Sequence, residues 1–165
     1  MKKSIFLVFI VLCFTGYSQQ WYTTNSFNYR DVNGAYLFNK RSMVTVGGNF
    51  TLDSIQSIST TENSGLTWNA ISDNVTSWVV SLDFVDSTTG LTVGTNGKIL
   101  KTTNGGSNWS ALSSPVNRDF NKVLYTGAQT AIVAGGRSYP AQGSIIKTIN
   151  GGASWSVVYD SAGPI

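Results

Sequence analysis

Hydrophobic residues in this chain come in short bursts separated by polar, glycine-bearing stretches, and the bursts recur in a fixed order. One kind occupies 35–38, 80–84 and 122–125. A second, Val-rich and running into small residues, occupies 44–48, 91–95 and 131–135. An isoleucine marks the third (Ile58, Ile99, Ile145) and a tryptophan the fourth (Trp68, Trp109, Trp155). Short apolar runs bounded by Gly, Asn and Ser read as β-strands, and beyond residue 18 no segment sustains a helical period. Each unit is therefore expected to hold four strands, a to d, with its Trp beginning strand d or lying next to it.

The tightest match between units is an octad, Thr-x-Asn-x-Gly-x-x-Trp. It carries Asn63, Gly65 and Trp68, then Asn104, Gly106 and Trp109, then Asn150, Gly152 and Trp155, and its Trp residues lie 41 and 46 positions apart. Asn tolerates left-handed backbone and can hydrogen-bond its own chain two residues on. The Gly two positions later supplies a positive φ without steric cost. Together they are expected to close the hairpin between strands c and d, with the indole folded over it. Four strands at a period of about 40–50 residues is the signature of propeller blades. The expected fold is all-β: a partial β-propeller of about three four-stranded blades, near 31–72, 77–113 and 119–160. Trp21 precedes Val32 by eleven residues, as Trp68 precedes Val79 and Trp109 precedes Phe120. Residues 20–24 thus read as an N-terminal strand d, of the kind that completes the last blade of a closed ring. Three blades are fewer than the roughly 4–8 that close a ring, so 19–165 reads as an incomplete propeller, a fragment of a longer one.

The octads resemble Asp-box (BNR) repeats. Blade two shows the fullest form: Val93-Gly94, Gly97-Lys98-Ile99, Thr102-Thr103-Asn104-Gly105-Gly106 and Trp109. That form is similar to the photosystem II stability and assembly factor-like propellers found in secreted bacterial proteins. The chain departs in carrying Asn for the box Asp in every copy, and Ser64 where the other copies have Gly105 and Gly151. The resemblance implies a non-catalytic binding or scaffold module that works through protein–protein contact. Asp boxes also occur in sialidases, which use an Arg cluster, a Tyr nucleophile with a Glu partner and an acid/base Asp. The sole Glu, Glu62, lies inside a turn motif. The alternatives are a sialidase-like glycoside hydrolase with catalytic residues beyond Ile165, for which carbohydrate would be the ligand, and a structural repeat of a surface adhesin.

The first eighteen residues change the charge argument. Lys2 and Lys3 precede an uncharged apolar run, and Gly16-Tyr17-Ser18 puts small residues where a signal peptidase cuts, so 1–18 is expected to be a cleaved signal peptide. The run is too short to span a bilayer, which takes about 20 apolar residues. Export to the periplasm, cell surface or medium is the expected localisation, with no membrane span in the mature chain. Removing Lys2 and Lys3 leaves 9 of the 11 basic residues against 8 acidic ones, net +1 instead of +3. A nucleic-acid partner is not expected from that balance. There is no His, and the single Cys, Cys13, leaves with the signal. Ser-His-Asp and Cys-His catalysis are therefore excluded, zinc lacks its usual ligands, and no cofactor is expected. Asp83 and Asp86 flank an a–b turn, which is either a solvated turn or a weak calcium site.

On a propeller the c–d and a–b turns share one face, and the d–a and b–c loops share the other. Arg30-Asp31 and Arg118-Asp119 occupy equivalent d–a positions, where blade two has Trp78. Blade three has a longer b–c loop, 136–143, with Arg137 and Tyr139, and blade one offers Phe50 there. Arg30, Arg118, Arg137, Tyr139, Phe50 and Trp78 are thus the candidate binding residues, since Arg and aromatics dominate recognition patches. The competing reading is local: Arg–Asp ion pairs that brace the loops, with Trp78 in the core.

Overall fold

A computed structural model describes residues 31–48, 58–71, 78–138 and 141–161. They form three four-stranded antiparallel sheets, one per repeat, each with its strands in chain order. Blade one holds β1 (Asp31–Leu37), β2 (Met43–Gly48), β3 (Ile58–Thr61) and β4 (Asn69–Ile71). Blade two holds β5 (Val79–Phe84), β6 (Gly90–Gly94), β7 (Ile99–Thr102) and β8 (Ser110–Leu112). Blade three holds β9 (Phe120–Gly127), β10 (Thr130–Ser138), β11 (Ala141–Thr148) and β12 (Ser156–Asp160). The fold is all-β, as the pattern predicts, and the three sheets make a partial propeller.

The blades superpose position by position. Met43, Gly90 and Ala131 each pair with the octad Thr of strand c, namely Thr61, Thr102 and Thr148. On their other side the same three pair with Leu37, Phe84 and Tyr125 of strand a. At the opposite end Val32, Val79 and Phe120 pair with Gly47, Gly94 and Gly135, and each strand a has a bulge at the next residue. This explains the small residues that end the Val-rich runs: a side chain on Gly94 or Gly135 would overlap the carbonyl of Trp78 or Asp119.

The core lies between blades. Val44, Val46 and Ile58 of blade one bury against Val79, Leu82, Phe84 and Leu100 of blade two. Leu91, Val93 and Ile99 of blade two bury against Phe120, Val123, Ala131, Val133 and Ile146 of blade three. Each sheet therefore has a leading face toward the blade before it and a trailing face toward the blade after it. β1 packs on β5 and β5 on β9, so the a-strands lie side by side. Across that seam the Tyr125 N–H donates to Asp83 Oδ2 at 2.7 Å and the Val123 N–H to Ser81 Oγ at 3.4 Å.

The octads close the c–d hairpins, by a mechanism that differs from the sequence expectation. The Asn backbone is not left-handed; the next two residues are, with φ of 62° and 84° at Ser64 and Gly65, 68° and 90° at Gly105 and Gly106, and 66° and 92° at Gly151 and Gly152. Nor does the Asn side chain bond two residues on. Its Oδ1 accepts the N–H four residues on, at 2.9 Å in every copy (Thr67, Asn108, Ser154). The octad Thr, for which no role was expected, is the hub. Its buried hydroxyl donates to Asn Oδ1 and accepts the N–H of the Gly four residues on, at 3.0, 3.0 and 2.9 Å. Two successive left-handed residues make a wide loop, so the side chains must reach across four residues to satisfy its donors.

The indoles do more than cover their own hairpin. Trp109 donates Nε1–H to the Gly106 carbonyl at 3.0 Å, and packs into the cleft between blades one and two. Its ring stands edge-on to Phe84, 6.0 Å between centroids. Trp155 packs into the cleft between blades two and three. Lys101 of blade two adds a bond from Nζ to the Gly151 carbonyl of the next blade, at 2.7 Å.

Candidate functional site

The two turn sets separate as the propeller topology requires. The c–d turns bind the a–b turns: Ser64 N–H donates to the Arg41 carbonyl, Gly105 N–H to Thr88 and Gly151 N–H to Gln129, each at 2.8 Å. Asp86 belongs to this face and closes its own turn, its Oδ1 accepting from Thr88 N, Thr88 Oγ1 and Thr89 N. Those bonds, the Thr88 hydroxyl first, hold its carboxyl below the usual range. Asp83 instead faces the β5–β9 seam, and among the described residues no group of three or more His, Cys, Asp or Glu is placed to hold a metal ion.

The b–c and d–a segments meet at the other end of the sheets. The b–c turn of blade two is a single 3₁₀ turn, Thr95–Gly97. Thr95 N–H donates to the Trp78 carbonyl at 2.9 Å, and Gly97 N–H to the Arg118 carbonyl at 2.5 Å. Asn96 N–H donates to Asp119 Oδ1 at 2.9 Å. One turn thus ties the loops entering blades two and three.

Blade three's b–c segment is strand on both sides of residues 139–140. β10 and β11 stay paired beyond Gly135 through Gly136–Gly143, Arg137–Gln142 and Ser138–Ala141. The two glycines at 135–136 and the polar residues after them suggest a loop, but the backbone ladder continues regardless. Arg137 stands on this extension, and its guanidinium grips Asp119, Nε to Oδ2 at 2.6 Å and Nη2 to Oδ1 at 3.3 Å. The bonded guanidinium, with the Asn96 N–H, holds the Asp119 carboxyl below the usual range against the opposing effect of partial burial. The same contact raises the Arg137 pKa.

Arg118 turns the other way. Its Nη1 donates to Gln142 Oε1 at 2.9 Å and its Nη2 lies 3.7 Å from Asp160 Oδ1. Its Nε is buried with no hydrogen bond among the described residues. The local Arg118–Asp119 pair weighed from sequence is therefore not formed. Adjacent residues in an extended segment point to opposite sides, so each takes a partner from another strand. The two arginines differ in access: the side chain of Arg137 is 55% exposed and that of Arg118 is 24%.

Of the sequence candidates, Trp78, Arg118 and Arg137 come together on this face, with Trp78 half-buried at the start of β5. Arg30, Phe50 and Tyr139 lie outside the described residues. Asp119, Gln142, Asp160 and Asn96 complete the cluster; of these the sequence reading names only Asp119, and as a partner for Arg118. The spacing of Asp119 and Arg137 from Phe120 and Gly135, which are paired in β9 and β10, is the one signal that could have joined two of them.

No curated protein matches the chain. Solved structures do. A structure of YCF48 bound to D1 peptide aligns at 17% identity and a TM-score of 0.58, covering 82% of this chain and 44% of that one. YCF48 from Cyanidioschyzon merolae aligns at 22% identity and 0.58, over 78% and 37%. An ancestral GH74 enzyme aligns at 16% identity and 0.68, over 84% and 21%. The chain spans less than half the length of each, and at these identities the likeness shows a shared fold. The sequence itself goes further: the family model described as photosynthesis system II assembly factor YCF48 matches residues 58–162, more than half of the chain, and the chain belongs to that family of BNR-repeat propellers.

Proposed function

We propose that this chain is an exported, non-catalytic propeller module that binds a protein partner through the face bearing Trp78, Arg118 and Arg137. The observation that carries the reading is Arg137: a half-exposed guanidinium lifted on a two-stranded extension and braced by Asp119. A rigid Arg beside partly buried polar groups is the composition of an interaction hot spot. Family membership supports it, since a YCF48 structure is described as bound to a D1 peptide. The leader-like residues 1–18 support export.

Fluorescence anisotropy with an acidic peptide set, including a D1 peptide, tests the reading. Binding should weaken about tenfold in Arg137→Ala, the loss of one charged hydrogen-bonded contact, at a temperature where circular dichroism shows the variant fully folded. Equal affinity in the variant, or no peptide bound, would refute it.

A second reading, a glycoside hydrolase, is prompted by the GH74 likeness. Such enzymes need one carboxyl kept protonated as the acid. On this face Asp119 is shifted the opposite way and Asp160 lies against Arg118. Turnover of a fluorogenic glycoside, a sialoside among them, would favour the hydrolase over the binding module.

A further inference from the structure

Three successive N–H groups of one short turn hold the candidate face together. Thr95 N–H donates to the Trp78 carbonyl, Asn96 N–H to Asp119 Oδ1 and Gly97 N–H to the Arg118 carbonyl. They gather on one side because the turn is left-handed at two residues running, with φ of 57° at Asn96 and 73° at Gly97. A concavity of successive N–H groups suits a negative charge, and the Asp119 carboxylate lies against it. Glycine enters this conformation freely, and at 97 a Cβ would also stand 2.5 Å from the Val116 carbonyl. Asn96 is different. It is exposed, and its side chain makes no hydrogen bond among the described residues. Its contribution is backbone: asparagine tolerates the left-handed region, where a β-branched residue is an outlier.

Asp119 is thus held from two blades. Its Oδ1 accepts from Asn96 of blade two, and its two oxygens accept from Arg137 of blade three, Oδ2 from Nε at 2.6 Å and Oδ1 from Nη2 at 3.3 Å. That contact uses one edge of the guanidinium. Nη1, without a partner among the described residues, is left for an oxygen of a bound protein. We propose that Asn96 is a positioning residue for recognition: by presenting its N–H to Asp119, it sets the direction in which Arg137 offers its free edge. This role rests on the protein-binding reading of the face. A long side chain fixed beforehand loses less freedom when a partner arrives, so a turn in blade two tunes the affinity of an arginine in blade three.

Asn96→Val closes the left-handed region and Asn96→Gly keeps it open, and the pair tests this, with circular dichroism to confirm folding. Asn96→Ala, milder but still averse to that region, replaces the valine variant if valine unfolds the chain. Without peptide, NMR follows the Asp119 carboxyl and the Arg137 Nε–H. In Asn96→Val the carboxyl should titrate higher, having lost one of the donors that hold it low, and the Nε–H signal should move toward that of a solvated arginine. Anisotropy with an acidic peptide should show about fivefold weaker binding, the ordering cost of one side chain. Adding Asn96→Val to Arg137→Ala should cost nothing further. Asn96→Gly should match the wild type throughout. Unchanged NMR signals or unchanged affinity in Asn96→Val, a glycine variant that behaves like valine, or a full fivefold loss in the Arg137→Ala background would each overturn the role of Asn96. Shifted NMR signals in a protein that binds no peptide would support Asn96 as the brace of Arg137 and overturn the protein-binding reading instead.

Discussion

Replacing Thr102 by valine tests the hub of the octad with almost no change of shape. The Thr102 side chain is 1% exposed. Its hydroxyl donates to Asn104 Oδ1 at 2.9 Å and accepts the Gly106 N–H at 3.0 Å. Valine keeps the volume and removes both bonds, along with the longer one accepted from the Asn104 N–H at 3.2 Å. A typical hydrogen bond contributes about 1 kcal/mol net, and a buried N–H left without an acceptor costs about 1–3 kcal/mol. Gly106 is buried, and the rest of the turn gives its N–H no other acceptor. The expected loss is about 2–4 kcal/mol, or roughly 5–15 °C in melting temperature for a chain of this size. Urea unfolding followed by tryptophan fluorescence and by circular dichroism measures it. Thr103→Val, at an exposed position next door, is the control and should stay within about 0.5 kcal/mol. A loss below about 0.5 kcal/mol for Thr102→Val would refute the hub, and leave the glycine conformations alone to explain the turn.

Gly106→Ala should destabilise more than Gly105→Ala: both need a positive φ, but a Cβ at Gly105 would stand 3.1 Å from the Ser87 carbonyl at the exposed a–b turn, and one at buried Gly106 would stand closer, 2.9 Å from Val44 Cγ2 of the preceding blade. Paired urea melts check it, and equal losses would deny the interblade contact. Asp119 has its folded pKa below its unfolded value, so its stabilisation is present above about pH 4 and disappears as pH falls through the folded pKa. Asp119→Asn should therefore flatten the acid limb of a stability–pH profile, and an unchanged limb would contradict the Arg137 pairing. Tyr125 is pushed up to about 12, chiefly by burial and then by the charge of Asp83. Phenolate absorbance should show one tyrosine titrating near there, and stability should fall as pH rises from about 10 toward that value, since only the unfolded phenol ionises early. Tyr125→Phe should remove both effects.

Much of the fold was legible because the same physical problem recurs. Each sheet must bury two faces against neighbours, so Ile58, Ile99 and Ile145 repeat at one position and the Val-rich runs at another. The eleven-residue step from Trp68 to Val79 and from Trp109 to Phe120 marked true structural equivalents, each pairing with a strand-end glycine. The role of the octad Thr was not legible, because a hydroxyl that accepts from two backbone N–H groups and donates to a side chain leaves no trace in composition. The site was half legible. Topology alone places Trp78, Arg118 and Arg137 at one end of the sheets. Their partners depend on strand register and on which side of an extended segment each residue faces. That is why sequence alone pairs Arg118 with its neighbour Asp119 and not with Asp160, and why it reads Gln142 as loop although Gln142 is paired in the ladder.

The octad turns of blades two and three are each wedged against the blade before them, so that the three sheets share cores in sequence. A nuclear Overhauser spectrum of methyl-labelled protein reads this directly. Cross-peaks are expected from the Val44 methyls to the Gly106 α-protons and the Trp109 ring, and from the Leu112 methyls to the Gly152 α-protons, all between different sheets. Cross-peaks confined to each octad's own hairpin, with none to Val44 or Leu112, would contradict it.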